Sequence, residues 1–218
     1  QQRNCGEAVI TCFPGFNNND PPQGITDAPV LGIVDVRDLS AYSPGDYLDD
    51  RSGSNIYHPS HWNYTNLGLV FGLAIDDQDN IYASSTTLYG CAFDPDDGVN
   101  TSPFGPSGQS RIYQIDPSDQ ISVLIDQGPF TPNGTTIPSD GAGFGNICYD
   151  PDHNQLFATN FHDGFIYRID LSTNSVVDFF DPFTATNPVS PGDPNFVALG
   201  ERPWGIAYNK IDGRLYYS

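Results

Sequence analysis

The chain has 218 residues and a formal net charge of −19, because 27 acidic side chains face only 8 basic ones. Such an acidic surface repels phosphate groups, which argues against nucleic acid and anionic membranes as partners, and no apolar run approaches the roughly 18–20 residues of a membrane span. The 22 Gly and 19 Pro, with acids that are almost all Asp, predict many short strands joined by turns.

The amino terminus indicates a processed, exported protein. The chain begins with two Gln and contains no Met, so we interpret residue 1 as the end left after removal of a signal peptide. This predicts a secreted or cell-surface protein. The single Lys and the abundant Asp are typical of a bacterial extracellular or marine setting.

The four cysteines fit an oxidising compartment. Residues 1–27 are predicted to be a loop-rich segment in which a Cys5–Cys12 disulfide closes a small loop. Cys91 and Cys148 are candidates for a second disulfide. The alternative is a buried free thiol at Cys148, which lies in an apolar strand.

One pattern occurs three times along the chain. The copies are VFGLAIDDQDNIYASS at 70–85, FGNICYDPDHNQLFATN at 144–160 and PWGIAYNKIDGRLYYS at 203–218. In each copy a short apolar strand is followed by a tight turn rich in Asp, Asn, Pro or Gly, and then by a second strand. This pattern predicts a β-hairpin.

Two of the copies continue in parallel. SRIYQIDPSDQISVLID at 110–126 matches GFIYRIDLSTNSVVDFF at 164–180, and each predicts two more strands around a short turn. The unit is therefore four antiparallel strands in sequence order, which is a propeller blade. The sequence predicts an all-β fold with blade one at about 69–126, blade two at 145–180 and half of blade three from 203.

The sequence predicts an N-terminal segment followed, at 28–218, by a propeller region of about two and a half blades. This number cannot close a ring, which usually needs four to eight blades. The chain is therefore expected to be the N-terminal part of a longer polypeptide. A strand-like stretch, VLGIVDV at 30–36, is expected to pair with the final blade and latch the ring.

The repeat G-[LI]-A-[IY]-D…D-x-N-x-[YF]-A, followed by [IF]-Y-x-I-D, resembles NHL/YVTN-type β-propellers over about residues 69–218. This six-bladed superfamily includes SMP-30-like lactonases and streptogramin-lyase-like proteins. The resemblance implies that a lactonase member would hold a divalent metal near the axis with an early Glu. Here Glu7 lies between cysteines and Glu201 lies beside Arg202, so neither matches that ligand.

The loops differ strongly between the two faces of the predicted propeller. The hairpin turns within each blade are short, whereas the segments 87–109, 127–143 and 181–203 all fall on the opposite side. Long loops in compact domains are usually functional or disordered. We call the side that carries these three segments the long-loop face, and we predict the binding site there.

Several side chains of the long-loop face are candidates for ligand binding. Asp94, Asp96 and Asp97, followed by Gly, offer the oxygen ligands that Ca²⁺ prefers, although a solvated turn explains them more simply. The predicted binding residues are Tyr89, Asp94, Asp96, Asp97, His162 and Asp163. Ca²⁺ is the one predicted cofactor, and no catalytic residue is assigned.

Histidines and tryptophans elsewhere leave two interpretations open. His58 and His61 are three residues apart and could share a metal, but Pro59 prevents a regular helix between them. Trp62 and Trp204 could be sugar-stacking platforms or core residues.

Two functions follow from these patterns. The first is a non-catalytic binding, adhesion or structural module that presents the long-loop face to a protein or a glycan. The alternative is a metal-dependent propeller enzyme, similar to a lactonase or a lyase. An enzyme would show a metal or a group of His, Asp and Glu at the axial ends of the inner strands, around residues 72, 146 and 205.

Overall fold

The computed structural model of the chain describes residues 6–12, 28–37, 56–86, 111–126, 130–132, 143–161, 163–183 and 202–218. Within these ranges the chain forms antiparallel sheets and one short helix, α1 (Tyr64–Leu67). Asn63 caps this helix by accepting a hydrogen bond from the backbone N–H of Asn66. Among the described residues, no helix has the length and apolar character needed to cross a membrane.

Two sheets each contain four strands in sequence order. Blade one consists of β4 (Val70–Ile75), β5 (Ile81–Ser85), β6 (Ile112–Ile115) and β7 (Ile121–Ile125). Blade two consists of β8 (Phe144–Asp150), β9 (Gln155–Asn160), β10 (Ile166–Asp170) and β11 (Ser175–Phe180). All neighbouring strands within each sheet are antiparallel. The predicted all-β fold of four-stranded antiparallel blades is confirmed.

The half blade is also present. Strands β12 (Ile206–Asn209) and β13 (Arg214–Tyr217) form an antiparallel hairpin. The first strands of successive sheets lie side by side, with β4 next to β8 and β8 next to β12. These strands are therefore the inner strands, and the later strands of each blade lie progressively farther from the axis.

The N-terminal residues form a sheet of their own, with β1 (Glu7–Thr11), β2 (Leu31–Asp35) and β3 (Ile56–Tyr57). Strand β2 pairs with β1 on one edge and with β3 on the other. The expectation that residues 30–36 pair with a final blade is wrong, because both edges of this strand are already occupied. Strand β1 lies next to β4, at the position of an inner strand.

Strand β1 lies within the segment that the sequence predicts to be loop-rich, and Cys5 lies outside the described residues. The Cys5–Cys12 disulfide therefore stays a prediction. Cys148 in β8 is a free thiol, and burial raises its pKa to about 12. Cys148 is thus an unpaired thiol, as the alternative had it, but it is half-buried rather than fully buried, and Cys91 lies outside the described residues.

The Asp residues of the short turns have a structural role. The Oδ1 atom of Asp76 accepts hydrogen bonds from the backbone N–H groups of Gln78 and Asn80, each at 2.9 Å. Asp79 in the same turn has a φ of 64°, a left-handed conformation that Asp and Asn tolerate better than most residues. Asp116 caps the β6–β7 turn in the same way. These carboxylates close hairpins, which explains their abundance.

Two apolar clusters hold the sheets together. One lies between blades one and two and includes Leu124, Phe144, Ile147, Phe165 and Tyr167. The other lies between the N-terminal sheet and blade one and includes Leu31, Trp62, Leu67, Ile81 and Tyr113. Each blade thus buries a face against its neighbour, as expected for sheets that are not stable alone.

The inner strands β4 and β8 approach closely at Gly72. A Cβ atom at this position would lie 2.6 Å from the carbonyl oxygen of Gly145 and 2.8 Å from the Cα of Asn146. Both obstacles are backbone atoms, so we expect Gly72→Ala to lower the free energy of unfolding by about 1–3 kcal/mol, measured by chemical denaturation.

Gly205 supplies a matched control, because it occupies the equivalent repeat position. Among the described residues, a Cβ atom there would meet only the side chain of Ser218, whose Oγ is 2.7 Å away. Gly205→Ala should therefore lower the free energy of unfolding distinctly less than Gly72→Ala does. Equal losses in the two variants would contradict the proposed backbone contact.

Candidate functional site

Three aromatic rings converge at the axial end of the inner strands, on the long-loop face. Phe71 lies in β4, Phe161 follows β9, and Trp204 precedes β12. The ring centroids of Phe161 and Trp204 are 4.7 Å apart, and those of Phe161 and Phe71 are 5.2 Å apart. Phe71 and Trp204 are 6.4 Å apart. We call these three residues the axial aromatic cluster.

The repeat explains how the cluster forms. Phe71, Gly145 and Trp204 occupy the same position in three successive copies. A Cβ atom at Gly145 would lie 2.6 Å from Cζ of Phe161, so the missing side chain leaves space for that ring between its two aromatic neighbours. Phe161 is completely buried, whereas Phe71 and Trp204 are half-buried.

Hydroxyl groups beneath the cluster hold the inner strands in place. The backbone N–H of Gly72 donates to Oγ of Ser84 at 2.9 Å, and that of Asn146 donates to Oγ1 of Thr159 at 2.9 Å. Ser84 also donates to the carbonyl oxygen of Gly145, which links blade one to blade two. Because these polar groups are satisfied internally, they form a rigid base for the rings.

The ends of the long segments meet beside the cluster. Thr86, the last described residue before the segment 87–110, forms an isolated β-bridge with Gly143, the first described residue after 133–142. The backbone N–H of Phe161 donates to the carbonyl oxygen of Gly143 at 3.1 Å. The aromatic cluster is therefore hydrogen-bonded to a residue that flanks one of the long segments of this face.

Asp163 is the one predicted binding residue that the structure describes. Its Oδ1 accepts a hydrogen bond from the backbone N–H of Phe165 at 2.9 Å, and its Oδ2 accepts one from the Tyr167 hydroxyl. Burial raises the pKa of Asp163 to about 7. Burial and the adjacent Asp163 carboxyl raise the pKa of Tyr167 as well. Asp163 thus stabilises the β9–β10 connection from inside.

The other predicted binding residues lie outside the described residues. These are Tyr89, Asp94, Asp96, Asp97 and His162, so the Ca²⁺ site at the three aspartates stays a prediction. In the described part of the chain, no group of three or more His, Cys, Asp or Glu side chains is arranged to hold a metal ion.

The two neighbouring histidines point to different partners. Nδ1 of His58 lies 2.9 Å from the carbonyl oxygen of Leu31, whereas Nε2 of His61 lies 3.1 Å from the carbonyl oxygen of Asp119. Each ring is thus held by a different part of the fold, His58 by the N-terminal sheet and His61 by the β6–β7 turn of blade one. Trp62 is only 1% exposed, and its Nε1 donates to Oδ1 of Asp119 at 2.8 Å. Trp62 is a core residue and not a stacking platform.

Phe71 and Phe161 were not among the residues predicted from the sequence. The signal for Phe71 was present, because the aligned repeats place Phe71 and Trp204 at the same position, which Gly145 occupies in the copy between them. No comparable signal exists for Phe161, which lies beyond the end of the repeat and reaches the cluster only through the fold.

Comparisons with known proteins give a limited result. No protein-family model matches the chain, and no curated protein matches its sequence. Among solved structures, the chain is similar to one in the crystal structure of a nidogen/laminin complex, at 15% sequence identity and a TM-score of 0.38. The match covers 86% of this chain and 63% of that chain, which is less than two thirds of its length. The fold assignment rests on the sheets described above.

Proposed function

We propose that this chain is a secreted or cell-surface propeller of the NHL/YVTN type that acts as a non-catalytic binding module. Its binding surface is the long-loop face, and its partner is a protein. The axial aromatic cluster is the observation that carries this proposal. Large aromatic side chains near the centre of a surface are the residues that most often dominate the binding energy of protein interfaces.

The chemistry around residues 72, 146 and 205 supports binding over catalysis. Close to these positions lie the rings of the axial aromatic cluster, the hydroxyls of Ser84 and Thr159 and the amide of Asn146. The Oδ1 of Asn146 accepts a hydrogen bond from the adjacent N–H of Ile147, and both carboxyl oxygens of Asp163 accept hydrogen bonds from within the protein. These groups serve the fold, so they are poorly suited to hold a catalytic metal or a substrate.

The proposal is tested by measuring the binding of the fluorescently labelled protein to intact source cells by flow cytometry. We expect saturable binding that falls at least about tenfold in Trp204→Ala, because Trp204 is half-buried at the centre of the face. Treating the cells with protease should abolish binding, whereas treatment with glycosidases should not. The midpoint of unfolding must be measured in parallel to show that the variant is folded.

Tyr216→Ala is the matched control, because Tyr216 is an aromatic residue, 51% exposed, in the outer strand of the same hairpin. This variant should bind like the unchanged protein. Loss of binding in Tyr216→Ala but not in Trp204→Ala would place the interface elsewhere, and the absence of saturable binding to any cell preparation would contradict the proposal.

A further inference from the structure

A groove of about 550 Å³ lies at the outer edge of blade one, away from the long-loop face. One wall is formed by His61 ahead of α1 and Asn66 within it, and the other is the β6–β7 hairpin. The groove exists because β7 is the last strand of its sheet, so the sheet does not fill the space beside it. We call it the perimeter groove. Its volume falls within the roughly 300–1,000 Å³ of small-molecule sites.

The end of the groove at the β6–β7 turn is rigid. The Asp119 carboxylate accepts a hydrogen bond from Nε1 of Trp62 at 2.8 Å, and its Oδ2 lies 3.2 Å from Nε2 of His61. Trp62 is anchored in the core between the N-terminal sheet and blade one. The polar groups at this end are therefore held in place before any ligand arrives, which reduces the entropy cost of binding.

The other end contains a polar atom that lacks a partner. Tyr113 lines the groove opposite Val123, its partner in β7. Val123 is the third residue of β7, so Tyr113 and Val123 lie farther along the hairpin than Asp119, which belongs to its turn. Tyr113 is 1% exposed, and its hydroxyl oxygen has no hydrogen-bond partner among the described residues. Buried polar groups almost always have one, so this hydroxyl is the group of the groove that a bound ligand would satisfy.

The lining indicates the chemical class of the ligand. Asn66 and Gln120 contribute amides and Tyr113 a phenol, while Val123 adds an apolar surface that is 42% exposed. The Asp119 carboxylate is already bound by Trp62 and His61, so it shapes this end of the groove and does not itself contact the ligand. This mixture of donors and acceptors beside an apolar strip suits a polyhydroxylated ring, which has polar edges and an apolar face. The net charge of −19 disfavours an anion. We propose that the perimeter groove binds a neutral saccharide unit.

The probe is a panel of neutral hexoses and N-acetylhexosamines, titrated into the protein and followed by NMR chemical-shift changes. We expect at least one sugar to bind saturably, with a Kd of the order of 1 mM, typical of a single small unit. Tyr113→Phe should weaken this binding about 5- to 10-fold, because it removes one hydrogen bond from a buried site. The same variant should unfold at an equal or higher temperature, because the unpartnered hydroxyl is gone.

Val123→Arg is a second variant, which fills the Tyr113 end of the groove from an exposed position and should abolish the titration. Tyr216→Phe is the control for a tyrosine hydroxyl far from the groove, and it should bind like the unchanged protein. The proposal is overturned if no sugar in the panel binds saturably. It is also overturned if Tyr113→Phe and Val123→Arg both leave the titration unchanged, or if only a cationic tripeptide tested in parallel binds.

Discussion

Phe161→Ala is expected to lower the free energy of unfolding by about 3–5 kcal/mol, the range for truncating a large ring in a packed core. Phe161 is completely buried, and its ring contacts Trp204 and Phe71 from the sheets on either side of blade two. The neighbouring rings cannot collapse into the cavity without breaking the alignment of the inner strands. Chemical denaturation followed by tryptophan fluorescence measures the loss.

Two further variants make this expectation falsifiable. Phe180→Ala removes the same ring from a position that is 54% exposed, and it should cost less than about 1 kcal/mol. Phe161→Leu retains most of the apolar volume and should give an intermediate loss if the alanine variant is too unstable to measure. If Phe161→Ala and Phe180→Ala cost the same, the cluster is not a packed contact between blades.

Stability is also expected to depend on the protonation of Asp163. Burial raises its pKa in the folded protein to about 7, against an ordinary value of 3.8. Between these two pH values the carboxyl is protonated in the folded state and ionised in the unfolded chain, so unfolding releases a proton. The contribution of Asp163 to stability is therefore fully present below about pH 4 and is lost as the pH rises towards 7.

Asp163→Asn isolates this effect, because the amide stays neutral and can still accept the hydrogen bond from the N–H of Phe165. The free energy of unfolding of this variant, relative to that of the unchanged protein, should rise by roughly 3 kcal/mol between pH 4 and pH 7. Urea denaturation at intervals of pH measures the difference.

Comparing Asp163→Asn with the unchanged protein at each pH removes the effect of repulsion among the other carboxylates, because both proteins share it. Asp170→Asn should show no such rise relative to the unchanged protein, because hydrogen bonds from Ser172 lower the pKa of Asp170. A constant difference between Asp163→Asn and the unchanged protein across this range would mean that Asp163 is ionised in the folded state.

The hairpins were predictable because the interactions that form them are local. Asp76 accepts hydrogen bonds from residues two and four positions further along the chain, and Asp79 takes the left-handed conformation in the same turn. Both signals lie within a few letters of sequence. Repetition of the hairpin then implies the blade, since a sheet with an apolar face requires a similar sheet to cover it.

The N-terminal sheet was not predictable in the same way. Strand β1 pairs with a strand that begins twenty residues after β1 ends, and this pairing gives β2 two occupied edges. Strand pairing over such distances depends on competition between many possible partners. The pattern of residues 30–36 therefore indicated a strand correctly but did not indicate its neighbours.

The features of the candidate site also divide into those that local sequence indicates and those that only packing decides. Sequence alone determined the blade architecture, the short Asp-rich turns and the face on which the long segments lie, because each follows from local chemistry or from repetition. Only the tertiary structure decided that Asp163 is buried beside Tyr167, that His58 and His61 contact different sheets, and that Phe161 fills the space left by Gly145. Burial and contact between distant residues are properties of the packed sheets, so no short stretch of sequence specifies them.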